Sequence, residues 1–150
     1  MKFKIVIVLS LVMLAAVNVL AADPKLDGAY KFVGLKFPGG SQTDADVKGM
    51  IVVQGKYMAF VRANVGRKTW DQNEPESERA KKIIAAYQGL AATCGSFEMQ
   101  GNVISLNQLA QSSPASMGMT TKWKYKLEGK MLTLEPVPNP GVEFAFERLP

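Results

Sequence analysis

The chain has 150 residues, 47% of them hydrophobic and 21% charged, with 18 Lys and Arg against 13 Asp and Glu. The absence of histidine excludes Ser-His-Asp and Cys-His nucleophile activation and removes the commonest zinc ligand. The only cysteine, Cys94, cannot form an internal disulfide, so packing must stabilise the fold.

The first 21 residues have the pattern of a secretory signal peptide. Lys2 and Lys4 precede an apolar run over residues 5–19, and Ala21 is a small residue at the expected cut. The run is no longer than the ~18 apolar residues that a membrane-spanning helix needs. We therefore expect residues 22–150 to form one secreted or periplasmic domain without a stable membrane anchor. Without the two lysines, 16 basic residues face 13 acidic ones, a balance too mild to indicate a nucleic-acid partner.

Alternating hydrophobicity between Gly, Pro and Asn turn signals predicts that the remaining chain is mainly β-structure. The predicted strands cover residues 29–37, 47–54, 57–64, 96–100, 103–109, 118–127, 131–135 and 142–148. Most are joined by short hairpins, so the sheet should be antiparallel. Eight such strands can close into an up-and-down β-barrel, which removes exposed edges and leaves room for one small ligand or a packed core.

One helix is predicted over residues 74–92, after the third strand. Asn73 is its expected N-cap and Gly95 its expected stop. Apolar residues recur along one side at helical spacing. They are Ala80, Ile83, Ile84, Tyr87, Leu90 and Ala91. This stripe favours a helix packed on the barrel wall or across its end, and a lid whose apolar face contacts a ligand is the alternative.

Two strands show which side chains should face the barrel interior. In residues 122–127 three lysines alternate with Trp123, Tyr125 and Leu127, so period-two geometry places the aromatic side chains inside and the lysines in solvent. In the last strand Phe144 has the phase of Phe146 and Arg148. The final arginine should therefore share the aromatic face.

Several segments, in this order, resemble the bacterial lipocalin-like domain, a small barrel of the calycin group. They are Leu-Asp-Gly-Ala-Tyr at 26–30, Lys-Gly-Met-Ile at 48–51, Gly-Lys-Tyr-Met-Ala at 55–59, Ala-Tyr-Gln-Gly at 86–89, Gly-Ser-Phe-Glu at 95–98, Leu-Glu-Gly-Lys-Met-Leu-Thr-Leu at 127–134 and Phe-Glu-Arg at 146–148. The resemblance implies that an aromatic residue of the first strand plugs one barrel end beneath an arginine of the last strand. Tyr30, in place of the usual tryptophan, and Arg148 would have these structural roles.

The same resemblance implies binding of a small hydrophobic or amphipathic molecule in the barrel. The predicted ligand-binding residues are Phe32, Phe60, Arg62, Met99, Trp123, Tyr125 and Phe144. If the face of Met58 points inward, Arg62 becomes an interior cation suited to a carboxylate or phosphate group. If it points outward, Arg62 is an exposed residue at a strand end. The aromatic residues could equally fill a solid core.

Two other function classes stay open at this point. One is a cofactor-independent isomerase or cyclase that uses Tyr125, Glu98 or Arg62. The other is a protein-binding or inhibitor module with a packed barrel, in which residues 66–73, including Trp70, or residues 111–118 contact the partner. No catalytic residue, cofactor or metal is assigned, because the carboxylates are scattered and no phosphate-binding glycine loop is present.

Overall fold

A computed structural model describes residues 24–150, which form a closed antiparallel β-barrel. The expected signal segment lies outside the described residues. The strands are β1 (Gly28–Phe37), β2 (Gly40–Thr43), β3 (Val47–Gln54), β4 (Tyr57–Asn64), β5 (Leu90–Gln100), β6 (Val103–Gln111), β7 (Thr120–Glu128), β8 (Met131–Pro136) and β9 (Glu143–Arg148), and the helix is α1 (Glu76–Gln88). β1 closes the barrel by pairing with β9, with Tyr30 opposite Arg148.

Eight strand positions surround the barrel axis, although the chain forms nine strands. β2 pairs with residues 34–37 of β1, whereas β3 pairs with residues 28–31 of the same strand. β2 and β3 therefore occupy successive parts of one position beside β1. The predicted eight-stranded antiparallel barrel is confirmed. Because β2 was not predicted, the helix follows the fourth strand and not the third.

The helix is shorter than predicted at both ends. It begins after Pro75 without a side-chain cap, and the backbone N–H of Asn73 instead donates to Oδ1 of Asp71 at 2.8 Å. The predicted cap at Asn73 is wrong. Gly89 ends the helix, and residues 90–92 pair with β4 as the start of β5. Gly95, the predicted stop, lies within β5.

The apolar stripe of α1 is only partly covered by the barrel. None of the helix residues is buried, and Ile84 is 56% exposed. The hydroxyl of Tyr87 donates to the carbonyl oxygen of Ser112, which ties the end of the helix to the segment after β6. The helix therefore lies beside the barrel opening and is not a core element. Within residues 24–150 we find no helix with the length and apolar character needed to cross a membrane.

The two barrel ends differ in their connections. Short turns join β3 to β4, β5 to β6 and β7 to β8 at one end, which we call the hairpin end. The longer segments 65–89, 112–119 and 137–142 lie at the other end, which we call the loop end. Alternate residues of the strands point inward and form one core. Its fully buried large side chains are Leu26, Tyr30, Phe32, Val47, Ile51, Val53, Ile104, Leu132 and Phe146.

The hairpin end is closed by the side chain of Tyr30. This residue is 0% exposed, and its hydroxyl donates to the carbonyl oxygen of Leu26 at 2.8 Å. The guanidinium carbon of Arg148 lies 4.9 Å from the centroid of the Tyr30 ring. Arg148 also donates hydrogen bonds to the Tyr30 hydroxyl and to the carbonyl oxygen of Lys25. These contacts fasten the segment before β1 to the end of β9.

The buried phenol of Tyr30 should make the barrel sensitive to high pH. Burial raises the pKa of Tyr30, and this effect exceeds the lowering by the charge and hydrogen bond of Arg148. A raised pKa means that the native state holds the phenol proton more tightly than the unfolded chain, whose tyrosine pKa is ~10. The resulting stability is complete below that pH and is lost as pH rises through the native pKa.

We therefore expect the free energy of unfolding, measured with urea, to fall as the pH rises above about 10. Tyr30→Phe should be less stable at neutral pH and should show a weaker fall. Tyr57→Phe is the matched control, because Tyr57 is 53% exposed. An identical pH dependence in the wild type and Tyr30→Phe would contradict a contribution from this phenol.

Candidate functional site

An apolar cavity lies inside the barrel and is partly open to solvent. It is bounded by inward side chains of β3, β4, β5, β6, β7, β8 and β9. The lining residues are Ile51, Met58, Phe60, Thr93, Ile104, Leu106, Trp123, Leu134, Phe144 and Phe146. Thr93 is the polar member of an otherwise apolar set. The cavity can therefore accept an apolar group and offers one hydroxyl beside it.

Aromatic rings form the wall of the cavity through edge-to-face contacts. The Phe60 ring lies 6.2 Å from that of Phe144 and 5.8 Å from that of Phe146, and the Trp123 ring lies 5.7 Å from that of Phe144. Such perpendicular pairs are favourable because the positive edge of one ring meets the negative face of the other. Phe60, Trp123 and Phe144 are only partly buried. Their rings can therefore be reached by a ligand that enters the cavity.

The cavity is small. The space that the centre of a water molecule can reach is about 20 Å³, which is enough for roughly one water. The empty space between the lining atoms, open mouth included, is about 370 Å³. A ligand larger than a few atoms must therefore displace side chains, and the partly exposed aromatic rings are the side chains in position to move.

Arg62 lies on β4 toward the loop end, two residues beyond Phe60 on the same face. Its guanidinium carbon is 6.0 Å from the centroid of the Phe144 ring. Within the described part of the chain it forms no hydrogen bond and no ion pair. Gly49 stands opposite Arg62, and a Cβ at Gly49 would lie 2.8 Å from the carbonyl oxygen of Val61. The glycine therefore allows β3 and β4 to approach closely beside the arginine.

The second polar feature near the cavity is a cluster of side chains around Gln108 on β6. Gln108 is 5% exposed, and its Nε2 donates to Oγ1 of Thr121 at 3.2 Å. Nε1 of Trp123 donates to the same Thr121 oxygen at 3.0 Å. Oε1 of Gln108 and Oγ1 of Thr93 are buried and have no hydrogen-bond partner in residues 24–150. Of these two residues, Thr93 lines the apolar cavity, and Gln108 follows the lining residues Ile104 and Leu106 along β6.

The predicted ligand-binding residues fall into two groups in the structure. Phe60, Trp123 and Phe144 line the cavity, and Arg62 lies beside Phe144. The other three pack in the core outside the lining. They are Phe32, Met99 and Tyr125. Phe32 is 1% exposed and packs edge-to-face on Phe146 at 5.9 Å, so it supports the lining from behind.

The three residues considered for catalysis do not converge. Glu98 is exposed and alternates with the buried Phe97, so it lies on the outer wall, whereas Tyr125 and Arg62 belong to inward-facing sets. No group of three or more Cys, His, Asp and Glu side chains in residues 24–150 is placed to hold a metal ion. The geometry offers an apolar binding space with polar groups at its side, without an assembled acid-base pair.

Sequence reasoning missed Thr93 and Gln108. Thr93 was expected just beyond the helix, so its strand phase was not considered. Gln108 shares the period-two phase of Ile104 and Leu106, and this phase could have identified it as an inward polar residue. The signal was present in the sequence, but a glutamine near a strand end is usually exposed.

A comparison with a solved structure supports the fold. The barrel is similar to the crystal structure of a lipocalin-like protein from Bacteroides uniformis, with a TM-score of 0.50 and 16% identity over 83% of this chain and 98% of that chain. A structure of an uncharacterized protein from Bacteroides eggerthii matches with a TM-score of 0.46 and 12% identity over 82% and 98% of the two chains. No protein-family model and no curated protein matches the sequence. The closed eight-position barrel has a lipocalin-like fold.

Proposed function

We propose that this lipocalin-like barrel is an exported protein that binds a small hydrophobic molecule carrying an anionic group. The apolar part enters the cavity between Phe60, Trp123 and Phe144, and the anion contacts Arg62 at the loop end. The signal-like pattern of residues 1–21 supports export. The ligand class follows from an aromatic lining with a cation beside it.

The observation that carries this proposal is the position of Arg62. Its guanidinium lies against the Phe144 ring and has no acidic partner in the described chain. An arginine offers five N–H donors in a planar fork, which matches a carboxylate or phosphate group. On an outer wall such a side chain would be solvated by bulk water. At the edge of an apolar cavity it instead favours ligands that bring a negative charge.

The test compares an acid with the matching alcohol. Displacement of the fluorescent anion 1-anilinonaphthalene-8-sulfonate should give dissociation constants for dodecanoate and for dodecanol. A charge-assisted hydrogen bond contributes about 1.5–3 kcal/mol, so Arg62→Ala should weaken dodecanoate binding roughly 10- to 100-fold and leave dodecanol binding nearly unchanged. Arg67→Ala is the control, because Arg67 is an exposed residue outside the cavity lining. Equal affinity of wild type and Arg62→Ala for dodecanoate would contradict the anion site.

A second candidate is a protein-binding module with a packed barrel, and the outer wall favours it. Exposed apolar side chains occupy neighbouring outward positions of β3, β4 and β6. They are Met50, Val52, Tyr57, Val61 and Leu109. Trp70, in the segment before α1, is 43% exposed. Failure of every small apolar probe to bind the wild-type protein would favour this candidate over the ligand-binding one.

A further inference from the structure

Gln108 is a buried amide in an apolar part of the barrel. It follows Ile104 and Leu106 in the inward phase of β6, and both of those residues line the cavity. The amide is fixed on one side by Thr121, while its Oε1 has no partner in the described chain. Burial of an unpaired amide oxygen is costly, and a leucine would fill a similar volume without this cost. The glutamine therefore calls for a role other than packing.

Thr93, on the neighbouring strand β5, is another buried polar residue with an unsatisfied atom. It lines the cavity from β5, opposite Phe60 of β4, and its buried hydroxyl has no partner in residues 24–150. Gly95, two residues further along β5, pairs with Gln108. Thr93 and Gln108 thus lie on adjacent strands, on either side of the register shift between Cys94 and Gly95.

The two side chains define the kind of group that would satisfy both. A threonine hydroxyl can donate and accept, and a glutamine amide can turn either its oxygen or its nitrogen toward the space. A charged ligand group is disfavoured here because the surrounding lining is apolar. A neutral hydroxyl both donates and accepts, so it satisfies Thr93 and either orientation of Gln108.

We propose that Thr93 and Gln108 form a polar subsite that hydrogen-bonds a hydroxyl group on the apolar part of the ligand. The inference rests on the proposed function, and it narrows the ligand class to hydroxylated amphipathic acids. Arg62 takes the acid at the loop end, and the Thr93 and Gln108 pair takes the hydroxyl within the aromatic wall. A ligand without the hydroxyl leaves both buried groups unpaired and binds less tightly.

The experiment measures dissociation constants of the full chain for dodecanoate and for a series of monohydroxy-dodecanoates that differ in the position of the hydroxyl. Displacement of 1-anilinonaphthalene-8-sulfonate reports binding. We expect at least one hydroxylated isomer to bind the wild type 10-fold or more tightly than dodecanoate. The variants Gln108→Leu and Thr93→Val keep side-chain volume and remove the polar atoms. Each should reduce this preference to about 3-fold or less while dodecanoate binds at least as tightly as before.

The outcomes separate the two proposals. If dodecanoate binds through Arg62 but no isomer is preferred, the subsite is wrong and the proposed function stands. If an isomer is preferred and the preference survives both substitutions, the hydroxyl is recognised elsewhere and the subsite is again wrong. If neither dodecanoate nor any isomer binds, both proposals fail. Unchanged affinities of both variants for every ligand would indicate that Thr93 and Gln108 hold a structural water only. If one variant does not fold, the other still tests the subsite, and the absence of any preference in the wild type refutes the subsite without either variant.

Discussion

Gly95→Ala is expected to destabilise the barrel by about 3 kcal/mol or more. A Cβ at this position would lie 1.9 Å from the carbonyl oxygen of Asn107 and 2.8 Å from its carbonyl carbon. These are backbone atoms of the neighbouring strand β6, so no side-chain rotation relieves the overlap. The pairing register of β5 and β6 shifts between Cys94 and Gly95, and the glycine is what allows the strands to approach at this bulge.

Equilibrium unfolding in urea measures this effect, and Gly34→Ala is the matched control. Gly34 also lies in a strand next to a register shift, but a Cβ there would meet the carbonyl oxygen of Gln42 at 3.5 Å, an ordinary contact. We expect this control to change stability by less than about 1 kcal/mol. Equal losses in the two variants would contradict the close approach at Gly95. Since Gly95 pairs with Gln108, any repacking at this bulge should also reduce preference for a hydroxylated ligand.

The middle of the barrel is where the sequence pattern predicted the structure most accurately. β3 and β4 begin and end at the predicted residues, because apolar alternation is regular there and Gly55 supplies a left-handed turn between them. β2 was missed for the opposite reason. Its sequence, Gly-Ser-Gln-Thr, has no apolar alternation, and it pairs with β1 through the backbone at the largely exposed rim.

The end of the helix shows how tertiary pairing overrides local pattern. Leu90 and Ala91 continue the helical spacing of the apolar stripe, so the sequence predicted a helix that includes them. In the structure they pair with Ala63 and Arg62 of β4. Their backbone N–H and C=O groups pair with those of β4. If the helix continued through residues 90 and 91, these groups of β4 would lack hydrogen-bond partners. Sequence periodicity cannot detect this competition, because the partner strand is almost 30 positions earlier in the chain.

The sequence predicted which side chains face the candidate site, but it did not predict how much free volume the site contains. Alternation indicated that Trp123 and Phe144 point inward. For β4 it left open whether the face of Met58 or the face of Tyr57 points inward. In the structure the face of Met58 and Arg62 points inward. Whether inward rings leave a cavity depends on how their volumes interlock across seven strands. The free volume of the cavity is a property of the whole set of side chains, and it cannot be predicted from the sequence of any single strand.

Arg148→Ala is expected to lower stability by about 2–4 kcal/mol and the melting temperature by roughly 8–15 °C. The substitution removes the cation from the face of the Tyr30 ring and deletes the hydrogen bonds to the Tyr30 hydroxyl and the Lys25 carbonyl. The Lys25 carbonyl and the Tyr30 ring then lose their side-chain link to β9, and only the backbone pairing of β1 with β9 remains. The loss should therefore appear as easier opening of the β1 and β9 seam, where Tyr30 pairs with Arg148.

Thermal unfolding followed by circular dichroism measures this loss, and two further variants separate its causes. Arg148→Lys keeps the charge near the ring but lacks the planar fork, so it should recover only part of the stability. Arg67→Ala removes an exposed arginine and should leave the melting temperature within about 2 °C of wild type. The proposed anion site at Arg62 lies toward the opposite barrel end, so dodecanoate affinity of folded Arg148→Ala should equal that of wild type. An unchanged melting temperature would refute the structural role of Arg148, and a loss of affinity without unfolding would instead make it part of the binding machinery.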